Sequence, residues 1–243
     1  MQRLLPLLII SCFSCFTFAS EDGTAILKKI DELYRSDSSI ATMKMTIVTP
    51  NWQRTMEMES WTKGMEETFF RVLSPKKDRG VSTLKKDTEM WNYFPKINKV
   101  IKVPPSMMMG SWMGSDFTND DLVKDSSLVD DYSVTVKEEG EQLHLSLLPK
   151  EQTVTVWAKI TIIVQSSDLL PLEQNYFNEK GEKVRTMTFS KVTDFGGKVI
   201  PAVMTMTPLN KTGHKTVIEY SNAKFNVDID ESTFTMRNLK KRF

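Results

Sequence analysis

Short segments in which apolar and polar residues alternate make up most of the chain after residue 40. In residues 41–47, alanine, methionine and isoleucine alternate with threonine and lysine, and residues 52–62 repeat the pattern. A period of two residues is typical of a strand with one buried face. Turn signals that contain glycine, at residues 178–181, 195–197 and 210–213, separate the later segments. Regularly spaced strands and tight turns predict an antiparallel meander that is closed or partly closed into a barrel.

One predicted helix precedes these strands. Between Ala25 and Tyr34 apolar residues recur at helical spacing, and charged residues occupy the other face. Further along, Thr118 and Asp121 match a capping box, which predicts the start of a second, short helix. We find no internal repeat and no linker, so residues 20–243 are predicted to form a single domain.

Residues 1–19 have the composition of a secretory signal peptide. Arg3 supplies the positive charge, an apolar stretch follows, and Thr17 and Ala19 satisfy the small-residue rule, so we expect cleavage after Ala19. The apolar stretch is short for a membrane span, which needs about 20 residues. An uncleaved anchor and a lipoprotein signal ending at Cys12 remain as alternatives.

Composition excludes several kinds of site from the mature chain. Cys12 and Cys15, the two cysteines, both lie in the signal segment, which leaves no disulfide and no thiolate metal site. The chain has 32 basic and 31 acidic residues, and loss of Arg3 leaves 31 of each, so the basic surface of a nucleic-acid-binding protein is absent. His144 and His214 have no partner at metal-ligand spacing, and no catalytic motif is found. We therefore predict no catalytic residue, no metal site and no cofactor.

Residues 104–122, PPSMMMGSWMGSDFTNDDL, form the least strand-like segment. Exposed apolar side chains on such a loop usually mark contact with an apolar partner. Methionine adapts to many apolar shapes, and methionines also occupy alternating positions of the predicted strands. These features predict a carrier of acyl chains, with the loop at the mouth of its cavity. The predicted ligand-binding residues are Met43, Met45, Met56, Met58, Phe70 and Trp91 on the concave face of the sheet, and Met107, Met108, Met109, Trp112, Met113 and Phe117 in the loop.

The segment SWMGSDFTNDDL, residues 111–122, resembles the LolA-like outer-membrane lipoprotein-sorting proteins. The signal peptide, the helix before paired strands, and the segments at 168–171, 177–181 and 234–235 support this resemblance, which covers most of the mature chain. It implies a mainly β fold: a half-open antiparallel β-barrel of roughly eleven strands, with a short N-terminal helix and a helical or loop lid.

The same resemblance implies a function. It indicates a periplasmic carrier, without enzymatic activity, that binds lipid or lipoprotein acyl chains in the barrel and transfers them toward the outer membrane. Members of this subgroup are often encoded beside resistance-nodulation-division exporters. A membrane exporter or an outer-membrane acceptor is therefore an expected partner.

Other functions fit the same loop. Met107, Met108, Met109 and Met113 offer the soft thioether ligands that Cu(I) prefers, so a copper-binding module is one alternative. A domain that docks on an exporter through the loop, with a closed or empty barrel, is another. An esterase would need a nucleophile and a base that the sequence does not display.

Overall fold

The described part of the chain, residues 20–124 and 128–241 of the computed structural model, forms thirteen strands in one antiparallel sheet. The strands are β1 (Ser38–Val48), β2 (Gln53–Lys63), β3 (Glu67–Ser74), β4 (Ser82–Lys86), β5 (Glu89–Phe94), β6 (Lys99–Lys102), β7 (Tyr132–Glu139), β8 (Gln142–Pro149), β9 (Lys159–Gln165), β10 (Pro171–Phe177), β11 (Lys183–Asp194), β12 (Val199–Pro208) and β13 (Lys215–Phe225). The helices are α1 (Ser20–Asp31), α2 (Asn119–Lys124), α3 (Leu128–Asp131) and α4 (Met236–Leu239), and single 3₁₀ turns cover Pro105–Met107, Trp112–Gly114 and Glu231–Phe234.

The sheet is a pair of meanders joined in the middle. Its strand order is β6-β5-β4-β3-β2-β1-β13-β12-β11-β10-β9-β8-β7, so sequence-distant strands pair only where β1 meets β13. Within the described residues, the two end strands β6 and β7 do not pair with each other. The prediction of a mainly β, half-open barrel is therefore confirmed, with thirteen strands where the resemblance implies about eleven.

One face of the sheet carries the methionines of β1 and β2. Met43 lies opposite Met58 and Met45 lies opposite Met56, and all four side chains are buried. They belong to a large apolar cluster that also includes Leu27 of α1. We call this the inner face, because helices α1, α2 and α3 and the loop at 104–117 pack against it.

The placement of Trp91 on the inner face was wrong. The hairpin between β4 and β5 pairs Thr83 with Asn92 and Leu84 with Trp91, so Asn92 faces inward. Trp91 instead packs against a second cluster on the outer face, where Phe234 is buried. Because side chains alternate between the two faces, an offset of one residue reverses every assignment in a strand.

The predicted N-terminal helix is present as α1, although it ends at Asp31 rather than reaching Tyr34. A Cβ atom at Gly23 would lie 3.0 Å from Val136 Cγ2 and 3.1 Å from a Cγ atom of Val134, so glycine lets the helix lie directly on β7. No helix among the described residues is long and apolar enough to cross a membrane. The predicted signal peptide at residues 1–19, with the alternative of lipidation at Cys12, lies outside the described residues.

The packing of α1 can be tested at Leu27, which is fully buried against the inner face. We expect Leu27→Ala to lower the free energy of unfolding by about 2–5 kcal/mol, because it leaves a cavity in a packed core. Urea denaturation of the mature protein measures the change. Lys29→Ala, on the exposed side of the same helix, is the control and should change stability by less than about 0.5 kcal/mol. Equal effects of the two substitutions would contradict the observed packing.

Candidate functional site

An apolar cavity lies between the inner face and the loop at 104–117. Much of its sheet wall is apolar, and two of the predicted ligand-binding residues, Met43 and Phe70, belong to it. The apolar sheet side chains of this wall are Ala41, Met43, Phe70, Met187, Met204, Met206 and Ile218; the other sheet residues of the lining are Ser39, Ser60, Thr62, Thr68, Tyr176 and Tyr220. Met45, Met56 and Met58 do not line this cavity; Met45 and Met58 pack beside it on the same face of the sheet, at 0% exposure each.

Polar groups collect at one end of the cavity. There the Ser39 and Thr62 hydroxyls share a hydrogen bond of 2.6 Å, and Arg35 Nη1 donates to Thr68 Oγ1 at 3.1 Å. These hydrogen bonds satisfy the hydroxyls, and Arg35 places a guanidinium at this end of the cavity. The arrangement suits a ligand that is mostly apolar.

Trp112 and Phe117 of the loop form the wall opposite the sheet. We expected the loop to expose its apolar residues, but these two side chains turn inward and are only 2% and 9% exposed. Trp112 packs against Phe70 with ring centroids 4.9 Å apart, and its Nε1–H donates to Thr83 Oγ1 at 3.1 Å. The two aromatic rings therefore occupy space beside the sheet that a ligand could otherwise fill.

The four methionines of the loop point in two directions. Met107 and Met113 line a groove on the outer side of the loop, whereas Met108 and Met109 line a different groove beside β5 and β6. Met107 and Met109 are exposed, as expected, while Met108 packs against the buried Met90. The thioethers thus do not converge on one point. Among the described residues, no group of three His, Cys, Asp or Glu side chains is placed to hold a metal ion.

Helix α2, which follows the loop, is held to the sheet by Arg185 of β11. Its guanidinium forms a bidentate ion pair with Asp121, with Nη1–Oδ2 at 2.8 Å and Nη2–Oδ1 at 2.5 Å. The guanidinium also lies 3.9 Å from the ring centroid of Tyr176 and 4.4 Å from that of Trp157. Burial lowers the pKa of Arg185, but the interactions with Asp121 and Tyr176 raise it by more. The pKa of Arg185 therefore lies above its ordinary value. The pair therefore stays charged on the arginine side.

Asp121 has a second role at the start of α2. Its Oδ2 accepts from the Thr118 amide at 2.8 Å, and the Asp121 amide donates to Thr118 Oγ1 at 3.1 Å. The predicted capping box is therefore confirmed. One carboxylate both caps the helix and binds Arg185, so the local fold of the loop end and its attachment to the sheet depend on the same side chain. The capping pattern is visible in the sequence, but the role of Arg185 is not.

A third contact fastens the middle of the loop. Asp116 Oδ2 accepts from Thr216 Oγ1 at 2.7 Å, and the Asp116 amide donates back to that hydroxyl at 2.9 Å. The loop is thus attached to β4 through Trp112, to β13 through Asp116 and to β11 through Asp121. All three contacts must be broken before the loop can lift away from the sheet.

The covered cavity is small, with a volume of about 140 Å³. An apolar cavity of about 150 Å³ in another protein holds benzene. In this conformation the cavity therefore has room for a few carbon atoms. A long acyl chain would need the space that Trp112 and Phe117 now fill.

Solved structures with the same architecture come from several bacteria. A domain assigned to the outer membrane lipoprotein-sorting proteins of Vibrio parahaemolyticus is 22% identical, with a TM-score of 0.77 over 92% of this chain and 100% of that one. A DUF1329 family protein from Desulfovibrio piger is 22% identical, with a TM-score of 0.80 over 90% and 98%. A LolA superfamily protein from Nitrosomonas europaea is 20% identical, with a TM-score of 0.73 over 89% and 98%. The expected LolA-like fold is confirmed.

A protein-family model described as "Uncharacterized protein" matches residues 64–241, which is more than half of the chain. The chain belongs to this family, and its own fold is LolA-like. The matched residues of this LolA-like protein include the loop at 104–117, α2 and Arg185, and thus most of the cavity. No curated protein sequence matches the chain.

A double-mutant cycle tests the attachment of α2. Asp121→Asn should lower the free energy of unfolding by about 3–5 kcal/mol, because it leaves the buried Arg185 charge without its partner. Adding Arg185→Met should recover part of that loss, since the buried charge is then removed as well. Chemical denaturation of the two single variants and the double variant measures the coupling.

The control for this cycle is the exposed pair between Lys191 and Glu219. Lys191→Met should cost no more than about 1 kcal/mol, the value for a surface ion pair. A loss from Asp121→Asn that is no larger than the control would show that the buried pair does not fasten the loop.

Proposed function

We propose that this protein is a periplasmic carrier, without enzymatic activity, that holds acyl chains of a lipid or lipoprotein and transfers them toward the outer membrane. The observation that supports the proposal is the apolar cavity of a LolA-like barrel, covered by a loop whose own aromatic side chains fill part of it. A membrane exporter or an outer-membrane acceptor would supply or receive the cargo.

The walls of the cavity favour an acyl chain over a polar ligand. Burial of an acyl chain is favourable by about 0.8 kcal/mol per CH₂, so ten methylenes contribute about 8 kcal/mol. That free energy corresponds to a dissociation constant of about 1 μM before other costs. A specific polar contact is therefore not required for binding. Methionine side chains, such as Met204 and Met206, can also adjust to chains of different shape.

Loading would exchange the loop's aromatic rings for the cargo. Trp112 and Phe117 each bury about 150–250 Å² of surface. At about 25 cal/mol per Å², burial of the two rings stabilises the loop on the sheet by about 8–12 kcal/mol. A chain of ten to sixteen carbons regains about 8–13 kcal/mol at 0.8 kcal/mol per CH₂. The two terms are similar in size, so cargo could enter and leave without a deep energetic trap, as a carrier requires.

The arrangement of the loop favours a carrier over a copper module. Met107 and Met113 lie on one groove, and Met108 and Met109 on another, so the four thioethers are not gathered around one ion. A docking domain without cargo fits a covered cavity equally well. Extracted lipid distinguishes this second alternative from the carrier.

Protein purified from the periplasm without detergent should contain lipid in roughly stoichiometric amount, which mass spectrometry of the organic extract would identify. A periplasmic protein purified in the same way is the control. An extract no richer than the control, together with no uptake of a fluorescent acyl probe, would overturn the carrier proposal.

Filling the cavity should reduce this binding. Met204→Trp places a larger side chain in the wall, and a steric penalty of about 1–3 kcal/mol should weaken acyl-probe affinity about 5- to 150-fold. Val192→Trp, at an exposed position of β11, is the control and should bind as the wild type does. Equal affinities of the two variants would place the probe outside the cavity.

A further inference from the structure

A second groove lies outside the cavity, on the other side of the loop at 104–117. It runs between the loop, the β5–β6 hairpin and the segment after β3, and its volume of about 560 Å³ is four times that of the cavity. Its apolar side chains include Val81, Phe94, Ile101, Met107 and Met113. Ile101 and Met107 are 45% and 59% exposed, so this apolar surface is open to solvent in the structure. An apolar groove of this size is a candidate ligand site.

The charged side chains around the groove are mainly basic. Asp78, which is its acidic member, is neutralised by Arg54, with Nη2–Oδ1 at 3.0 Å and Nε–Oδ2 at 3.1 Å. Lys77 and Lys96 are both exposed and take part in none of the ion pairs that the described residues form. The groove therefore combines an apolar floor with two positive charges that are not balanced locally.

The groove and the cavity share one wall. Trp112 faces the cavity, whereas the next residue, Met113, faces the groove. Met113 and Gly114 have φ values of 52° and 78°, and this left-handed turn directs the neighbouring side chains to opposite sides. Arg54 Nη1 donates to the Met113 carbonyl at 3.4 Å, which links the basic side of the groove to this wall. Movement of the loop would therefore join the two spaces.

We propose that this groove binds an anionic amphiphile, with the acyl chain on the apolar floor and the phosphate or carboxylate head on Lys77 and Lys96. The chain passes from the groove into the cavity when the shared wall moves. The acyl nature of the ligand rests on the proposed carrier function, whereas the preference for a negative head group rests on the uncompensated lysines alone. The head group stays on the exposed lysines, because a charged group that entered the mainly apolar cavity would lose its hydration.

The proposal is tested by the head-group preference of the mature protein. Isothermal titration below the micelle concentration compares lysophosphatidylglycerol with lysophosphatidylcholine of the same chain, and oleate tests a carboxylate head. The Lys77→Gln/Lys96→Gln variant should bind lysophosphatidylglycerol and oleate about tenfold more weakly, the effect of losing two surface ion pairs. Its affinity for zwitterionic lysophosphatidylcholine should not change. For the wild type, 0.5 M salt should remove most of the preference, because exposed charges are screened.

The control variant is Lys180→Gln/Lys211→Gln, which removes two exposed lysines from turns at other hairpins and should bind all three ligands like the wild type. Equal binding of the anionic and zwitterionic lipids by the wild type, or unchanged affinities in Lys77→Gln/Lys96→Gln, would overturn the groove proposal. If Met204→Trp still weakened binding in that case, the carrier proposal would stand without the groove. Failure of the wild type to bind any of the three would overturn both.

Discussion

The closed form of the molecule depends on the ion pair between Arg185 and Asp121. The side chains of this pair are 6% and 17% exposed, so both charges have lost most of their water. Under such conditions attraction and desolvation nearly cancel, whereas loss of one partner leaves a buried charge and is costly. The pair also fixes a position, because Asp121 caps α2 and α2 follows the loop that covers the cavity. Loss of the Asp121 carboxylate would therefore remove one arm of the cap and one of the three attachments of the loop together.

The attachment of α2 by this ion pair matters because, among the described residues, the sheet does not close on itself. In a closed barrel the strands alone would define the interior, but here β6 and β7 remain apart in the described part of the chain. Helix α1 packs on β7, and the loop at 104–117 covers the space nearer to β1 and β13. The interior is thus bounded on one side by elements that are attached through a few side-chain contacts. Such a boundary can open while the hydrogen-bonded sheet stays intact.

Sequence patterns that span two to four residues predicted much of the arrangement of the strands and of helix α2. Alternation placed Met43, Met45, Met56 and Met58 on one face, and the Thr118 capping box located α2. Trp91 was misplaced because the two-residue turn between Lys86 and Glu89 decides the register of β5, and alternation alone cannot supply it. Arg185 was missed because a single arginine in a strand carries no local signal of a partner 64 residues away.

The methionines give the inner face a property that a leucine core would lack. Met45 and Met58 are fully buried beside the cavity on the same face, while Met43, Met204 and Met206 line the cavity itself. Unbranched side chains can change rotamers with little steric cost, so the cavity wall and its neighbours can adapt to a change in the contents of the cavity. Trp112 and Phe117, in contrast, are rigid and fill part of the space beside the sheet. A rigid cover opposite a deformable floor would let the volume of the cavity change without any change in the pairing of the strands.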